Sequence, residues 1–432
     1  MARATTHPET LALHAGWRAD PSTGAVAPPI YQTTSYQFES TDQASRLFAL
    51  QELGNIYTRL GNPTTGILEA RVAALEGGVA ALAVASGQAA SAYAIQNLAQ
   101  AGDNIVSSTD LYGGTWALFA NTLKLMGIEV RFVDPADPEK FRRATDAKTR
   151  AYYAETLPNP KLTVFPIAEV AAIGRPLGIP LIMDNTAAPT LCRPLAHGAS
   201  VVVYSTTKYI GGHGTSIGGM IVDGGTMDWE AFAERQPLLN TPDPGYHGAV
   251  WTQATKPMGP VAYAIRARVV LLRDLGAALS PFNAFQILQG LETLPLRMPR
   301  HCENAVKVAQ FLQGRAEVSN VIHPSLQTGE NRARADKYLS GGQGGLLGFE
   351  LAGGREAGRK FIDGLQLFYH VANIGDARSL AIHPASTTHS QLTPQEQQAT
   401  GVTEGYVRLS IGLEHIDDIL GDLEDALVAA SS

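Results

Sequence analysis

The strongest constraint on what this chain can fold into is an alternation between residues 65 and 222, where short apolar runs rich in β-branched side chains trade places with stretches of helical spacing. The runs predict strands at Ala80–Ala85, Asn104–Ser108, Val130–Asp134, Arg150–Ala154, Ile179–Met183 and Val201–Tyr204, with one more at Gly218–Val222. Helical spacing predicts helices over Thr65–Glu76, Ala89–Ala99, Thr115–Met126 and Ile167–Leu177. Repeated strand-helix units of this kind give an α/β fold, one large and mostly parallel sheet with helices on both faces. Ligands bind such sheets outside the carboxyl ends of the strands. Ser86, Tyr112, Asn159, Asp184 and Lys208 each follow a predicted strand and are expected to gather along that edge.

Lys208 carries the most chemical consequence. It lies in Ser205-Thr206-Thr207-Lys208-Tyr209-Ile210-Gly211-Gly212-His213-Gly214, directly after the run Val201–Tyr204. A lysine held against an apolar sheet is desolvated, which favours the neutral, nucleophilic amine. The alternative is a solvated lysine beside a glycine turn. Ser86-Gly87-Gln88, between a predicted strand and a predicted helix, points backbone amides and the positive helix end at one spot and suits an anion, or is an ordinary connection. Asp184, ending an apolar run, is a helix cap or a buried charge with a purpose. Tyr112 stacks on a planar ligand or covers the core. Tyr57 and Arg59, two apart, project the same way if extended and together suit a phosphate; they read equally well as surface packing. Arg408, inside Tyr406-Val407-Arg408-Leu409-Ser410, is a guanidinium in an apolar strand that needs a carboxylate partner from the protein or from a substrate. His383 and His389 have no carboxylate or cysteine at ligand spacing, so no metal is expected.

Length and composition set the frame. At 432 residues the chain exceeds one typical domain, so two cores are expected. Residues 1–60 are rich in turn formers, with helical spacing only near Thr41–Leu50, and read as an arm that wraps a neighbour. Residues 61–278 form the large sheet domain, including an irregular excursion over 226–260 and a helix at Val261–Ala278 that bridges onward. Residues 279–432 form a smaller α+β unit, with a helix at Pro299–Gln313 and strands at Val318–Ile322, Leu346–Leu351 and Tyr406–Ile411. A net charge of -7 leaves no basic footprint for nucleic acid. No apolar run approaches membrane-spanning length, and no secretory signal is visible at the amino terminus. With Cys192 and Cys302 the only cysteines, a reducing cytoplasm fits best.

Taken together and in order, these motifs closely resemble the Cys/Met-metabolism family of pyridoxal-phosphate enzymes, and within it the sulfhydrylases. The similarity runs from Pro28-Pro29-Ile30-Tyr31-Gln32-Thr33-Thr34 to Val407-Arg408-Leu409-Ser410. It implies a fold-type I, aspartate-aminotransferase-like domain with pyridoxal 5'-phosphate held by Lys208 as a Schiff base. It further assigns Ser205, Thr207, Gly87 and Gln88 to the cofactor phosphate, and Tyr57 and Arg59 to the phosphate of a neighbouring subunit. An active dimer, doubled to a homotetramer, follows. Asp184 is assigned to the pyridine nitrogen, Tyr112 to the ring face and to catalysis, and Asn159 to the cofactor or substrate carboxylate. Arg408 is assigned to the substrate carboxylate, with Asn373 and Tyr57 on the substrate side. The implied reaction is γ-replacement, in which O-acetyl-L-homoserine exchanges acetate for sulfide or a small thiol. The runners-up are γ-elimination, cystathionine γ-synthesis and use of a succinyl ester. A cofactor-free scaffold is the alternative of a different class, and the intact Lys208, Asp184 and Arg408 argue against it. Three positions bear on the choice. Gly114 stands where γ-lyases usually carry cysteine, Asn373 where many members carry serine, and Pro158 where glycine is more usual.

Overall fold

The computed structural model of the chain describes residues 5–387 and 401–431. Seven strands, β1 (Ala80–Val84), β2 (Asn104–Ser108), β3 (Glu129–Val133), β4 (Thr149–Glu155), β5 (Leu181–Asp184), β6 (Val201–Ser205) and β7 (Gly219–Asp223), form one sheet in the order β1-β7-β6-β5-β4-β2-β3. The five strands from β6 to β3 are parallel, while β7 runs against both of its neighbours. β6 shows why the sheet is covered on both sides. Its apolar residues alternate between two cores, Val202 and Tyr204 facing one and Val201 and Val203 the other. The expected α/β architecture with a second, smaller sheet is the one observed.

Local sequence sets the helix ends that matter for the site. The helix Gly87–Gln96 begins after Ser86, whose hydroxyl accepts from the Ala89 N–H at 3.1 Å. The helix Pro63–Glu76 starts with a capping Asn62 followed by proline and stops at Gly77, which adopts the left-handed conformation.

The smaller sheet contains β8 (Val318–Ile322), β9 (Leu346–Leu351), β10 (Tyr369–His370), β11 (Leu380–Ile382) and β12 (Tyr406–Ser410), ordered β10-β11-β12-β9-β8. Leu347, Phe349, Val407 and Leu409 pack there against the helices Gly354–Gly364 and Ile416–Ser431. Sequence periodicity does not find β10 and β11, because two or three residues are too few to show an alternation.

Several helices differ from expectation: one forms at Pro8–His14 in the amino-terminal segment, and the one expected at Thr115–Met126 starts at Gly113 and widens to π geometry over Leu118–Thr122. The helix placed at Val261–Ala278 runs from Ala262 to Leu275, widens to π geometry over Ala267–Leu272, and ends at Gly276. The element that bridges the two sheets is the next helix, which extends from Pro281 to Gln313 rather than beginning at Pro299. Pro295 and Pro299 lie inside it, and proline normally ends a helix because it lacks an N–H donor and crowds the preceding turn. Burial overrides that preference. Ile287, Leu288, Leu291, Leu294 and Met298 pack into the core of the large sheet, and Ala305, Val308 and Leu312 into that of the small one. Arg297 also pins the helix near its prolines, donating to Gly290 O at 2.8 Å and to Ile210 O at 3.2 Å. At Gly290 a Cβ would lie 2.0 Å from Gly211 O, so only glycine lets the helix backbone rest on the turn that follows Lys208.

Leu291 is fully buried where this helix meets the large sheet. Replacing it with alanine is expected to lower the unfolding free energy by about 2–5 kcal/mol, measured by chemical denaturation.

Candidate active site

At the carboxyl edge of the large sheet a cavity of about 270 Å³ is lined by Ser86, Gly87, Gln88, Tyr112, Asn159, Asp184, Ser205, Thr207, Lys208, Asn373 and Arg408. Every residue expected at that edge is therefore in one place, and Arg408 reaches it from β12 of the small sheet.

Lys208 sits three residues beyond β6, in a turn closed by Gly211 N donating to Thr206 O at 2.9 Å and Gly212 N donating to Lys208 O at 2.7 Å. Its Nζ donates to Asn373 Oδ1 at 2.5 Å. Arg408 Nη2 donates to the backbone oxygen of the same asparagine at 2.9 Å. Burial, followed by the nearby Arg408 charge, pulls the Lys208 amine down to about 8. Burial likewise lowers the Arg408 guanidinium. Among the described residues no carboxylate forms an ion pair with either cation.

Two acids stand on neighbouring strands. Asp184 and Glu155 are register partners at the ends of β5 and β4, and both line the cavity. Asp184 accepts from Thr186 N at 2.9 Å. Thr186 Oγ1 in turn accepts from Ser205 N at 2.8 Å, tying the acid's turn to the strand that leads to Lys208. Burial raises both carboxyl groups, and for Glu155 the adjacent Asp184 charge adds to the effect. Tyr153, buried below them, bonds to Ser91 Oγ at 2.9 Å and also to Asp184. Motif comparison passes over Glu155, Tyr153 and Thr186. A carboxylate in the Glu155-Thr156-Leu157-Pro158-Asn159-Pro160 segment was the available signal for the first; strand alternation placing Tyr153 on the same face as Glu155 was the signal for the second.

Tyr112 is half exposed, and a Cβ placed at Gly114 would fall 2.5 Å from Tyr112 Cε1 and 2.7 Å from Gln88 Nε2. Glycine there allows the ring and the amide to approach one another. Asn159 Oδ1 is buried without a hydrogen-bond partner among the described residues, which suits an acceptor for a ligand.

Tyr57 and Arg59 do not line this cavity. Tyr57 pairs in an isolated antiparallel bridge with Ser35, and Leu60 N and Gly61 N both donate to Tyr57 O, closing a turn that lays the Arg59 guanidinium over the Tyr57 ring at 5.3 Å. Arg59 Nε is buried with no partner among the described residues. The ring nitrogens of His383 engage Ser386 Oγ at 2.8 Å and Glu404 O at 2.9 Å, which makes it a structural histidine. Thr388 and His389 lie outside the described residues.

The cavity fits pyridoxal phosphate group by group. The Gly87 and Gln88 N–H groups open the helix Gly87–Gln96, and Ser205 packs against Gly87, which suits a phosphate. A desolvated amine suits an aldehyde, and a buried carboxylate suits a ring nitrogen. A mostly parallel sheet carrying a desolvated lysine and a paired acid at its carboxyl edge defines an enzyme of the pyridoxal-phosphate class. The chain belongs to the Cys/Met metabolism PLP-dependent enzymes, whose family model matches residues 9–428. It is 58% identical to the O-acetyl-L-homoserine sulfhydrylase of Leptospira meyeri over 427 residues, covering 97% of this chain and 96% of that protein. It is 51% identical to O-acetyl-L-homoserine sulfhydrylase 1 of Thermus thermophilus over 422 residues, 97% of this chain and 99% of that protein. Among solved structures, a Campylobacter jejuni protein described as an O-acetylhomoserine (thiol)-lyase superposes with a TM-score of 0.93 at 43% identity. That alignment covers 98% of this chain and 100% of the other, which carries a pyridoxyl-lysine monophosphate. No helix of the described residues is long and apolar enough to cross a membrane.

Because the Lys208 amine is neutral above about 8, capture of pyridoxal phosphate by cofactor-free protein is expected to accelerate with a midpoint near that pH, followed by stopped-flow absorbance. A midpoint near that of a free lysine would show that the amine is solvated. Gly114→Cys should push Tyr112 aside and reduce turnover by about tenfold or more while cofactor content, read by absorbance, is retained.

Proposed function

We propose that this protein catalyses γ-replacement on O-acetyl-L-homoserine, with sulfide as nucleophile, giving L-homocysteine and acetate. The observation that carries the proposal is Arg408, buried beside Lys208 and Asn373 without an ion-pair partner among the described residues, which suits the α-carboxylate of an amino-acid substrate. The names of the sulfhydrylase relatives supply the ester and the thiol.

When bound, pyridoxal phosphate supplies a conjugated, electron-withdrawing ring that stabilises negative charge at the substrate Cα. Each residue has a task around it. Asp184, ionised, holds a proton on the ring nitrogen. Gly87, Gln88, Ser205 and Thr207 bind the phosphate, and Tyr112 covers the ring. Arg408 grips the α-carboxylate, with Asn159 and Asn373 supporting, so that the Cα proton faces Lys208. The Lys208 amine would take the proton from Cα and deliver it to the carbon that the cofactor supplies. Only then, neutral again, would it take one from Cβ, so that acetate can depart from Cγ with its bonding electrons and HS⁻ can add at Cγ. The amine would then return one proton to Cβ and one to Cα. Tyr112 donates a proton near the leaving group.

Several features support an assembly. Residues 1–60 serve as an arm that contacts a neighbouring subunit and brings Tyr57 and Arg59 to that subunit's phosphate and substrate. Exposed Val26, Phe48 and Leu53 on the arm support this reading. Residues 61–278 form the cofactor-binding domain and 279–432 the smaller domain. The working form is a homotetramer of active dimers in the cytoplasm.

The test is incubation of the cofactor-loaded protein with O-acetylhomoserine, with and without sulfide. Homocysteine formed only with sulfide is the expected result, and dominant 2-oxobutanoate in its presence would make the protein a γ-lyase. Arg408→Leu should raise KM for the amino acid roughly 100-fold, the scale of a buried charge pair losing one member. Tyr112→Phe should depress kcat more than cofactor binding, and an unchanged rate would remove Tyr112 from the chemistry.

A further inference from the structure

Glu155 is an acid in the cavity to which the reaction above gives no task. It is buried at the end of β4, and no lysine or arginine among the described residues forms an ion pair with it. Its Oε1 accepts from the backbone N–H of Tyr112 at 2.6 Å, and the backbone N–H of Asn159 faces the same carboxyl group. Tyr112 and Asn159 belong to different loops, one after β2 and one after β4, and both line the cavity.

We propose that Glu155 is a positioning residue, a buried strut whose carboxyl group ties these two loops together beside Asp184 and so sets the Tyr112 ring and the Asn159 amide against the cofactor. The inference rests on the pyridoxal-phosphate site and is independent of which thiol the enzyme uses.

Its geometry makes a specific demand. Two backbone N–H groups need an acceptor of the right length, and they do not need a second negative charge, since Asp184 across the strand pair supplies one. Like charges side by side in a buried site would oppose each other, so the neutral acid is the form that serves. A glutamine has the same length and keeps an acceptor oxygen. An aspartate keeps the acid but withdraws it by one methylene, out of reach of the Tyr112 loop.

The experiment compares parent, Glu155→Gln and Glu155→Asp by affinity of the cofactor-free protein for pyridoxal phosphate, visible circular dichroism of the bound cofactor, and melting temperature. Glu155→Gln should stay within about threefold of the parent in affinity with an unaltered dichroic band. Glu155→Asp should bind about tenfold or more weakly with a changed band, because small displacements of orienting groups carry large penalties. A purely structural acid would lower the melting temperature of Glu155→Asp and leave the band and affinity unchanged, which would overturn the proposal. Glu155→Gln as impaired as Glu155→Asp would also overturn it, since charge rather than reach would then matter. If Glu155→Asp does not fold, amide hydrogen exchange in the parent decides. Slow exchange at Tyr112 and Asn159, preserved in Glu155→Gln, is expected, and fast exchange at both in the parent refutes the strut. A parent that does not bind pyridoxal phosphate would instead refute the cofactor site itself.

Discussion

A single asparagine stands between a half-buried lysine and a buried arginine. Asn373 accepts from Lys208 through its side chain and from Arg408 through its backbone, so the amine and the guanidinium share one neighbour with no acid among the described residues joining them. In a low-dielectric site that arrangement keeps the amine inclined to give up its proton and the guanidinium inclined to find an anion. Each cation alone would be a packing liability. Held together by a residue from a loop of the smaller unit, they suit the amino-acid substrate of the proposed reaction, with a carboxylate at one end and a reactive carbon near the other.

The acids are handled in the opposite way. Asp184 and Glu155 stand at equivalent positions on adjacent strands, and the backbone absorbs them: Thr186 N bonds to one, Tyr112 N bonds to the other, and Asn159 N faces it. The loops that hold the acids, near and far in sequence, are therefore the loops that line the cavity. The same groups that make a buried carboxyl group tolerable also fix where the ring-facing side chains stand.

Much of this was legible in the sequence, for identifiable reasons. The strand-helix alternation is strong because both sheet faces are buried, which is why Val201–Tyr204 reads as continuously apolar and why Ser86, Tyr112, Asn159, Asp184 and Lys208 can be placed along one edge. Motif order then links Arg408 to them across about two hundred residues. How Tyr57 and Arg59 are presented was not legible, because the bridge from Tyr57 to Ser35 and the turn closed by two bonds to Tyr57 O arise in a segment with little core of its own. The helix from Pro281 was cut short because Pro295 and Pro299 are locally the strongest stop signals in the chain, and only tertiary burial, invisible to a window of sequence, reverses them. Glu155 was passed over because its role lies toward the backbone N–H groups of residues 43 and 4 positions away, and neither leaves a pattern in side-chain identity.

The 33-residue helix has a further consequence. Since one face-sharing rod supplies side chains to the core of each sheet and rests through Gly290 on the turn beyond Lys208, the two units are not beads on a string. A blow to either is felt in the other, much as loosening one end of a keel disturbs the planks along its whole length. Loss of the smaller sheet would strip a wall from the larger and unseat the turn that presents the amine. Melting is therefore expected to be concerted, and evolution can revise the smaller unit's surface and loops freely but not the line of contact along this helix.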